Sequence, residues 1–367
     1  MTAAPNSAVK LVGPDGHDEW NQFVTNHPHG HFMQLWQWGE VRKSSGWRPH
    51  YFALDGPDGI DAVALVLERQ VPGFGTLLYT PRGPLWRQRS PGCLSSLATV
   101  VRDFARARGG VVWRADPYIA ESECAERADL VQAGFRPADM PWSYWNQPRY
   151  IMRLDTGIGS ARILESMDRK DRYQVRHAAK EGVVFAQVPV DDAHMGHAYR
   201  LMQATAHKKG IPLRDYSSFS CFLRTFSAAG HAALFLAQRG SVPVSAGASV
   251  IMGRTAWLFH LGSDYSVRNA NWGLQWHMLC WAIDSGCTTY DFRGSATNFP
   301  PQPTDKGYGV YLFKRSFGAQ LVPLVGYFDL VFGPTRYRAL RYAEHRLLPL
   351  GERAMEGLAA LRRIRST

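Results

Sequence analysis

The sequence predicts a mixed α/β protein made of two similar halves. Three observations lead there. The chain has 367 residues, which at roughly 100–200 residues per domain suits two domains. Hydrophobic residues make up 45% and charged residues 20%, a composition that folds rather than staying disordered. The order of helix-like and strand-like segments that ends near Arg149 begins again at Tyr150, as in a duplicated α/β unit.

In the first half, Asp18–Thr25 and Gln34–Ser45 read as helices. His50–Leu54, Ala62–Gln70 and Thr76–Pro81 read as strands, punctuated by Asp55-Gly56-Pro57-Asp58-Gly59 and Pro72-Gly73. Cys93–Arg108 is an amphipathic helix, Gly110–Ala115 a strand and Glu121–Ala133 a helix stopped by Gly134. Pro137–Pro148 is a loop rich in Pro and Trp. In the second half, Tyr150–Leu154 is strand-like, and Ser160–Lys180 is one long helix stopped by Gly182. Val183–Val188 is a strand, Asp192–Lys209 and Tyr216–Ala228 are helices, and Ala232–Gln238, Val242–Met252 and Thr255–Leu261 are three successive strands. Asn271–Ser285 is a helix and Thr289–Phe292 a strand. The tail Thr335–Thr367 reads as helix, with eight Arg against three Glu. Its Leu340, Leu347, Leu358, Leu361 and Ile364 could line one face, either of a packed surface helix or of a basic helix lying on a membrane.

Several classes are excluded. No apolar run approaches the ~20 residues that cross a bilayer, and the N-terminus lacks the basic and apolar regions of a secretory signal. Cys93, Cys124, Cys221, Cys280 and Cys287 contain no CxxC pair, which argues against a disulfide framework or structural zinc. A reduced, soluble, cytoplasmic protein is expected. There is no GxSxG elbow and no Walker loop. His194 and His197 form an HxxH without a third ligand at helical distance, and His27, His29 and His31 are expected in a turn facing water.

Charge is the first positive clue. The 42 Lys and Arg outnumber 31 Asp and Glu, for a net charge of +11, which favours an anionic partner. Arg169, Arg172, Arg176 and Lys180 follow at helical spacing, so four cations share one face, either solvated or facing phosphates. Trp36, Trp38 and Trp47 cluster around Arg42 and Lys43, either as core or as a stacking platform for a sugar or base. Tyr290–Ser295 (YDFRGS) ends a strand in a glycine turn, and Gly307–Gly318 (GYGVYLFKRSFG) sets Lys314 between Phe313 and Arg315. A lysine among aromatics loses hydration and suits the role of an oriented positive charge on a developing oxyanion.

In order along the chain, the Q-x-W-x-W-G-x-x-x-K-x-x-x-W of Gln34–Trp47, Tyr79-Thr80-Pro81-Arg82-Gly83-Pro84, the helix with Lys170, Arg172 and Arg176, YDFRG, and LFKRSFG followed by Val325-Gly326-Tyr327-Phe328-Asp329 resemble the FemABX family of aminoacyl-tRNA-dependent peptidyltransferases. The resemblance implies an α/β fold with mixed sheets in two tandem domains like GCN5-related N-acetyltransferases. These are residues 1–149, completed by a C-terminal helix 331–367, and residues 150–330, with no long coiled-coil insertion. It implies that aminoacyl-tRNA, as co-substrate, donates its amino acid to the side-chain amine of the third stem-peptide residue of a peptidoglycan precursor. That precursor is a UDP-linked muropeptide or lipid II, and the product is an interpeptide bridge. No metal, further cofactor or DNA is implied, and peripheral contact with the inner membrane face is compatible. The resemblance places the essential pair on Phe313 and Lys314. It assigns the diphosphate to Arg42 or Lys43 and to Arg172, with Trp47 as the adjacent aromatic, and it places Tyr79 and Tyr216 at muropeptide contacts. Lys170 and Arg176 stand where one type of relative has a hydroxyl-bearing residue and a tyrosine, so the choice of precursor stays open.

The alternatives are a CoA-dependent N-acyltransferase, an amide synthase using aminoacyl-tRNA on a small-molecule or antibiotic amine, and a silent RNA- or membrane-binding adaptor. The first needs a glycine-rich pyrophosphate cradle, and Arg268-Asn269-Ala270-Asn271-Trp272-Gly273 offers one glycine beside a Trp.

Overall fold

The structure, a computed structural model, describes residues 9–87, 92–140, 146–295, 298–305 and 307–346. It divides into two compact units, with the chain passing to the second between 140 and 146 and returning to the first at 324.

The first unit contains β1 (Val9–Leu11), α1 (His17–Asn26), α2 (Trp36–Lys43), β2 (Arg48–Gly56), β3 (Gly59–Val71), β4 (Gly75–Arg82), β5 (Leu85–Trp86), α3 (Cys93–Arg106), β6 (Gly110–Pro117), α4 (Cys124–Gln132) and β7 (Arg136–Ala138). The second contains β8 (Tyr150–Asp155), α5 (Ser160–Ser166), α6 (Arg169–Lys180), β9 (Val183–Val188), α7 (Asp192–Lys209), α8 (Tyr216–Ala228), β10 (Ala232–Arg239), β11 (Val242–Met252), β12 (Thr255–Ser263), α9 (Ala270–Asp284), β13 (Thr289–Gly294), α10 (Tyr308–Arg315) and β14 (Gln320–Pro323). The chain then adds β15 (Tyr327–Val331) and a helix over 334–346 to the first unit.

The two sheets share one plan. The first runs β1-β2-β3-β4-β6-β15-β7 and the second β9-β10-β11-β12-β13-β8-β14. In each, an antiparallel meander is followed by a helix and then by a strand parallel to the meander's last member: β4 with β6 through α3, and β12 with β13 through α9. Parallel neighbours need such a crossover, and the helix covers the sheet. On α3 the buried Leu94, Leu97, Ala98, Val101 and Ala105 follow helical spacing and pack over β2, β3 and β6. β3 is buried along nine consecutive positions, which accounts for its unbroken apolar run.

The sixth strand of each sheet is out of sequence. β8 takes that place in the second sheet as the chain leaves the first unit, and β15 takes it in the first, pairing with β6 and β7. The return to the first unit therefore precedes the expected boundary of 330–331. Arg114 of β6 anchors the arrangement. Its buried guanidinium donates to Asp329 of β15 at 2.8 and 2.9 Å and to Glu344 of the 334–346 helix at 2.6 and 3.2 Å, while Tyr337 donates to Asp329 at 2.9 Å. On the same helix Leu340 is buried against Val111 and Val112, so this stretch packs as an ordinary surface helix. The rest of the expected tail helix, 347–367 with Leu347, Leu358, Leu361 and Ile364, lies outside the described residues.

Other expectations need correction. Ser160–Lys180 is two helices, because Met167 (ψ 149°) and Asp168 (ψ 151°) are extended. Asp168 opens α6, and the Arg172 guanidinium donates back to the carbonyls of Glu165 (3.1 Å) and Met167 at the end of α5. The expected loop 137–148 starts inside β7, and its residues 141–145 lie outside the described set. The short strands β1, β5, β14 and β15 carry too few residues to show a period. The histidines do not face water: His27 meets the Trp86 carbonyl at 2.9 Å, and His31, 3% exposed, accepts from the Met33 amide at 3.1 Å.

The Gln34–Gly39 motif is structural. Gln34, 0% exposed, donates to the Pro81 carbonyl at 2.6 Å and accepts from the Leu65 amide at 3.0 Å. A Cβ on Gly39 would lie 1.9 Å from the Tyr51 hydroxyl, which donates to the Trp36 carbonyl at 2.9 Å. Gln34→Met strands two buried backbone groups, so we expect it to lower stability by about 2–4 kcal/mol in urea denaturation at unchanged m-value.

Candidate functional site

The second unit holds a cavity of about 1160 Å³. α6 supplies Lys170, Asp171 and Gln174, α7 supplies Lys209, and β12 supplies Phe259 and His260. The start of α9 contributes Asn271 and Trp272, β13 contributes Phe292, Arg293 and Gly294, and α10 contributes Phe313, Lys314 and Arg315. Lys170, Lys209, Arg293, Lys314 and Arg315 line it together with Asp168 and Asp171, so cations dominate the wall.

Lys314 is 5% exposed. Its ammonium donates to the Arg293 carbonyl at 3.4 Å and to the Gly294 carbonyl. Burial lowers its pKa from 10.5 to about 7; Asp291 opposes this, while Arg293 and Lys209 add to it. Two local features hold it there. Phe313 packs edge-on against Trp272 at 5.0 Å and Phe317 at 5.3 Å, fixing α10. The end of β13 turns at Arg293, whose φ is +62° in the left-handed region costly for a non-glycine residue. Asp291, 1% exposed, accepts from the Arg293 amide at 2.5 Å and holds that turn, which presents two successive carbonyls to Nζ. The sequence predicted the turn at a glycine, whereas the strained residue is the arginine before it.

Nothing in the sequence pattern singles out His260. It reads as one more residue of an apolar strand, yet β12 has a register shift opposite Ala248 and Ser249, and such bulges re-aim side chains. Burial, reinforced by Arg293 and Arg214, lowers its pKa to about 3, so the ring is neutral at physiological pH. Desolvation, with Asp168 nearby, raises the pKa of Asp171.

Of the expected residues in this unit, Phe313, Lys314 and Lys170 line the cavity. Arg172 and Arg176 do not: Arg172 is spent on α5, and Arg176 is exposed. Tyr216 packs with Tyr199 at 5.3 Å and Phe219 at 6.4 Å, one ring removed from His260, which lies 5.7 Å from Phe219.

In the first unit, Trp47 and Tyr79 lie 6.2 Å apart, with the Arg42 guanidinium 5.7 Å from the Trp47 ring. Lys43 is instead tied to Glu40 at 2.7 Å. The other two tryptophans of the cluster are packing: Trp36 stacks on Tyr51 at 3.6 Å, and Trp38 meets Phe32 at 5.8 Å. Tyr79 donates to Asp116 at 3.1 Å, and Asp116 lies 3.6 Å from Arg82. Burial raises the Asp116 carboxyl to about 6 and the Tyr79 hydroxyl well above its usual value. His194 pairs with Asp191 rather than with His197. Among the described residues, His29, Glu123 and Glu126 offer potential ligand atoms within 4.8 Å of one another, but the two ring nitrogens face different carboxylates, at 3.8 and 3.4 Å.

At the start of α9, a Cβ on Gly273 would lie 2.3 Å from Phe185, so this glycine serves close packing against β9. No described helix is long and apolar enough to cross a membrane.

Comparison with known proteins agrees with this architecture. The lipid II:glycine glycyltransferase of Staphylococcus aureus strain USA300 is 22% identical over 402 residues, covering 90% of this chain and 94% of that protein. A crystal structure of FemX matches with a TM-score of 0.82 at 22% identity, covering 91% of this chain and 100% of that one. A tandem GNAT protein from the clavulanic acid biosynthesis pathway matches at 0.53 and 11% identity, over 89% and 99%. The fold is thus α/β with two tandem GCN5-related acetyltransferase-like domains. The FemAB family model matches residues 16–240 and 235–345, nearly the whole described chain, and on that match the chain belongs to the FemAB family.

Proposed function

We propose that this protein transfers an amino acid from aminoacyl-tRNA to the side-chain amine of the third stem-peptide residue of a peptidoglycan precursor. The observation that carries the proposal is Lys314, a buried lysine at the wall of a cation-lined cavity and one half of the family's Phe-Lys pair. The name of the Staphylococcus aureus relative gives the class of acceptor. The ester donor is already activated, so the protein supplies alignment and charge stabilisation. Attack by the neutral amine on the ester carbonyl forms the new C–N bond and places negative charge on the carbonyl oxygen. The Lys314 ammonium stabilises that charge; collapse breaks the acyl C–O bond and expels the ribose oxygen of the tRNA, which takes the proton that the attacking amine gives up. Held by two carbonyls on a braced turn, Lys314 needs little reorganisation. His260, neutral at the same wall, offers one donor and one acceptor to the bound ester. Lys170, Lys209 and Arg315 give the tRNA backbone cations to grip.

The CoA-dependent alternative is weaker here, because Gly273 is committed to Phe185 and Trp272 to the Phe313 and Phe317 rings. Transfer to a small amine uses the same machinery and differs only in the acceptor. Binding of acylated tRNA is expected to fall at least about tenfold between 50 and 200 mM salt in filter-binding titrations; a flat salt response would refute the basic wall as the tRNA contact.

A further inference from the structure

Resting on the proposed reading, we infer that His260 carries the proton from the attacking amine to the departing ribose oxygen. The splay of the second sheet sets it in place. β12 and β13 pair only at Thr255–Thr289, Ala256–Tyr290 and Trp257–Asp291, whereas β4 and β6 stay paired from Thr76 to Arg82. Beyond Trp257 and Asp291 the two strands part, and residues of both line the cavity. His260 lies three residues past Trp257 and Gly294 three past Asp291, so the imidazole stands at about the level of the carbonyls that hold Lys314. Phe259 is the extra residue of the β12 bulge, since Ser249 pairs with Leu258 and Ala248 with His260. Strict alternation lapses there, and Leu258, Phe259, His260 and Leu261 all line the cavity.

Three observations fit the ring to this task. Aromatic packing orients it: Phe259 meets it edge-on at 4.5 Å and Phe219 at 5.7 Å. Among the described residues neither ring nitrogen has a hydrogen-bond partner, so the lone pair and the N–H of the neutral ring are both open to a ligand. The serine and threonine hydroxyls of the wall are committed: Ser166, Thr205, Ser263 and Ser316 each donate to a backbone carbonyl, at 2.8, 3.0, 3.0 and 2.6 Å.

The chemistry needs such a group. Attack forms the C–N bond and leaves a positively charged nitrogen, and the ribose oxygen departs as an alkoxide unless it is protonated. Both atoms are bonded to the same carbon, so direct transfer between them passes through a strained four-membered ring. One ring nitrogen of His260 takes the proton from the nitrogen and passes it to the oxygen as the C–O bond breaks, and the imidazole ends as it began. Burial, with Arg293 and Arg214, keeps the ring neutral before attack, and the oxyanion formed in the cavity offsets those cations during it.

Transfer assays with the full-length protein, charged tRNA and the precursor test the role. His260→Gln keeps a polar side chain and removes the basic nitrogen. Its kcat should fall about 100-fold, the low end for proton transfer, with KM for charged tRNA within about twofold of wild type. His260→Ala should lose as much. Added imidazole should raise the rate of that variant at least about tenfold, and pyrrole, which lacks the basic nitrogen, should leave it unchanged. Urea denaturation reports whether each variant folds; where the alanine variant does not, kcat and KM of the glutamine variant decide alone. A kcat within about twofold of wild type, or an alanine variant that imidazole restores no better than pyrrole does, would overturn the relay while the proposed reading stands. A wild type that transfers no amino acid from any charged tRNA would sink both.

Discussion

Lys314→Met is expected to lower the transfer rate by about 10³-fold, the scale of removing a preorganised charge from an oxyanion, while making the protein more stable. The two effects share one cause. Burial of Lys314 disfavours its ammonium and brings its pKa from 10.5 to about 7, so the unfolded chain holds that proton more tightly than the folded one. Between about pH 7 and 10.5 the unfolded state therefore binds more protons, and wild-type stability rises with pH across that window as the penalty is relieved. Methionine carries no such penalty. Its advantage should be largest below pH 7, on the order of 2 kcal/mol after allowing for the orphaned Arg293 and Gly294 carbonyls, and should fall and change sign as pH rises towards 10.5. Urea denaturation of both proteins at pH 6 and pH 9 measures the difference. A variant less stable than wild type at pH 6, or one with its transfer rate intact, would show that Lys314 is structural.

Arg114→Met should be the most destabilising single change in the first unit, costing about 3–5 kcal/mol. Arg114 neutralises two carboxylates, Asp329 on β15 and Glu344 on the 334–346 helix. Asp329 is 1% exposed, and without the guanidinium its charge has only the Tyr337 hydroxyl and a β-strand around it. The helix would lose its tether to β6 as well. Pairing Arg114→Met with Asp329→Leu should recover most of the loss, because an apolar pair of similar volume replaces an ion pair better than half of one does. Thermal unfolding of the single and double variants decides it; a single variant within about 1 kcal/mol of wild type would mean the pair is no more than a surface contact.

The long, strongly patterned elements were legible in the sequence. β9, α7, α8 and β11 lie where periodicity placed them, with α7 closed by the left-handed Gly210. The break at Met167 was invisible, because helical spacing continues across it and only two ψ angles change. β15 could not be assigned to the first sheet, since pairing across more than two hundred residues of chain leaves no local mark. The site was legible where chemistry is concentrated in a motif, as at Phe313 and Lys314. It was not legible at His260 or Arg293, which a bulge and a strained turn bring into place. The contacts of Arg172 were not legible either: its spacing on α6 fits a cationic face, and the helix break just before it supplies the Glu165 and Met167 carbonyls that its guanidinium meets.

Whether Lys314 stands at an aminoacyl-transfer site is read from the mass of the product. The protein would be incubated with charged tRNAs and either the UDP-linked muropeptide or lipid II, and the acceptor weighed. The acceptor is expected to gain the mass of one amino-acid residue, a gain that requires charged tRNA and disappears with Lys314→Met. An acceptor that gains an acetyl group from acetyl-CoA instead, or gains its residue with Lys314→Met at the wild-type rate, would contradict it.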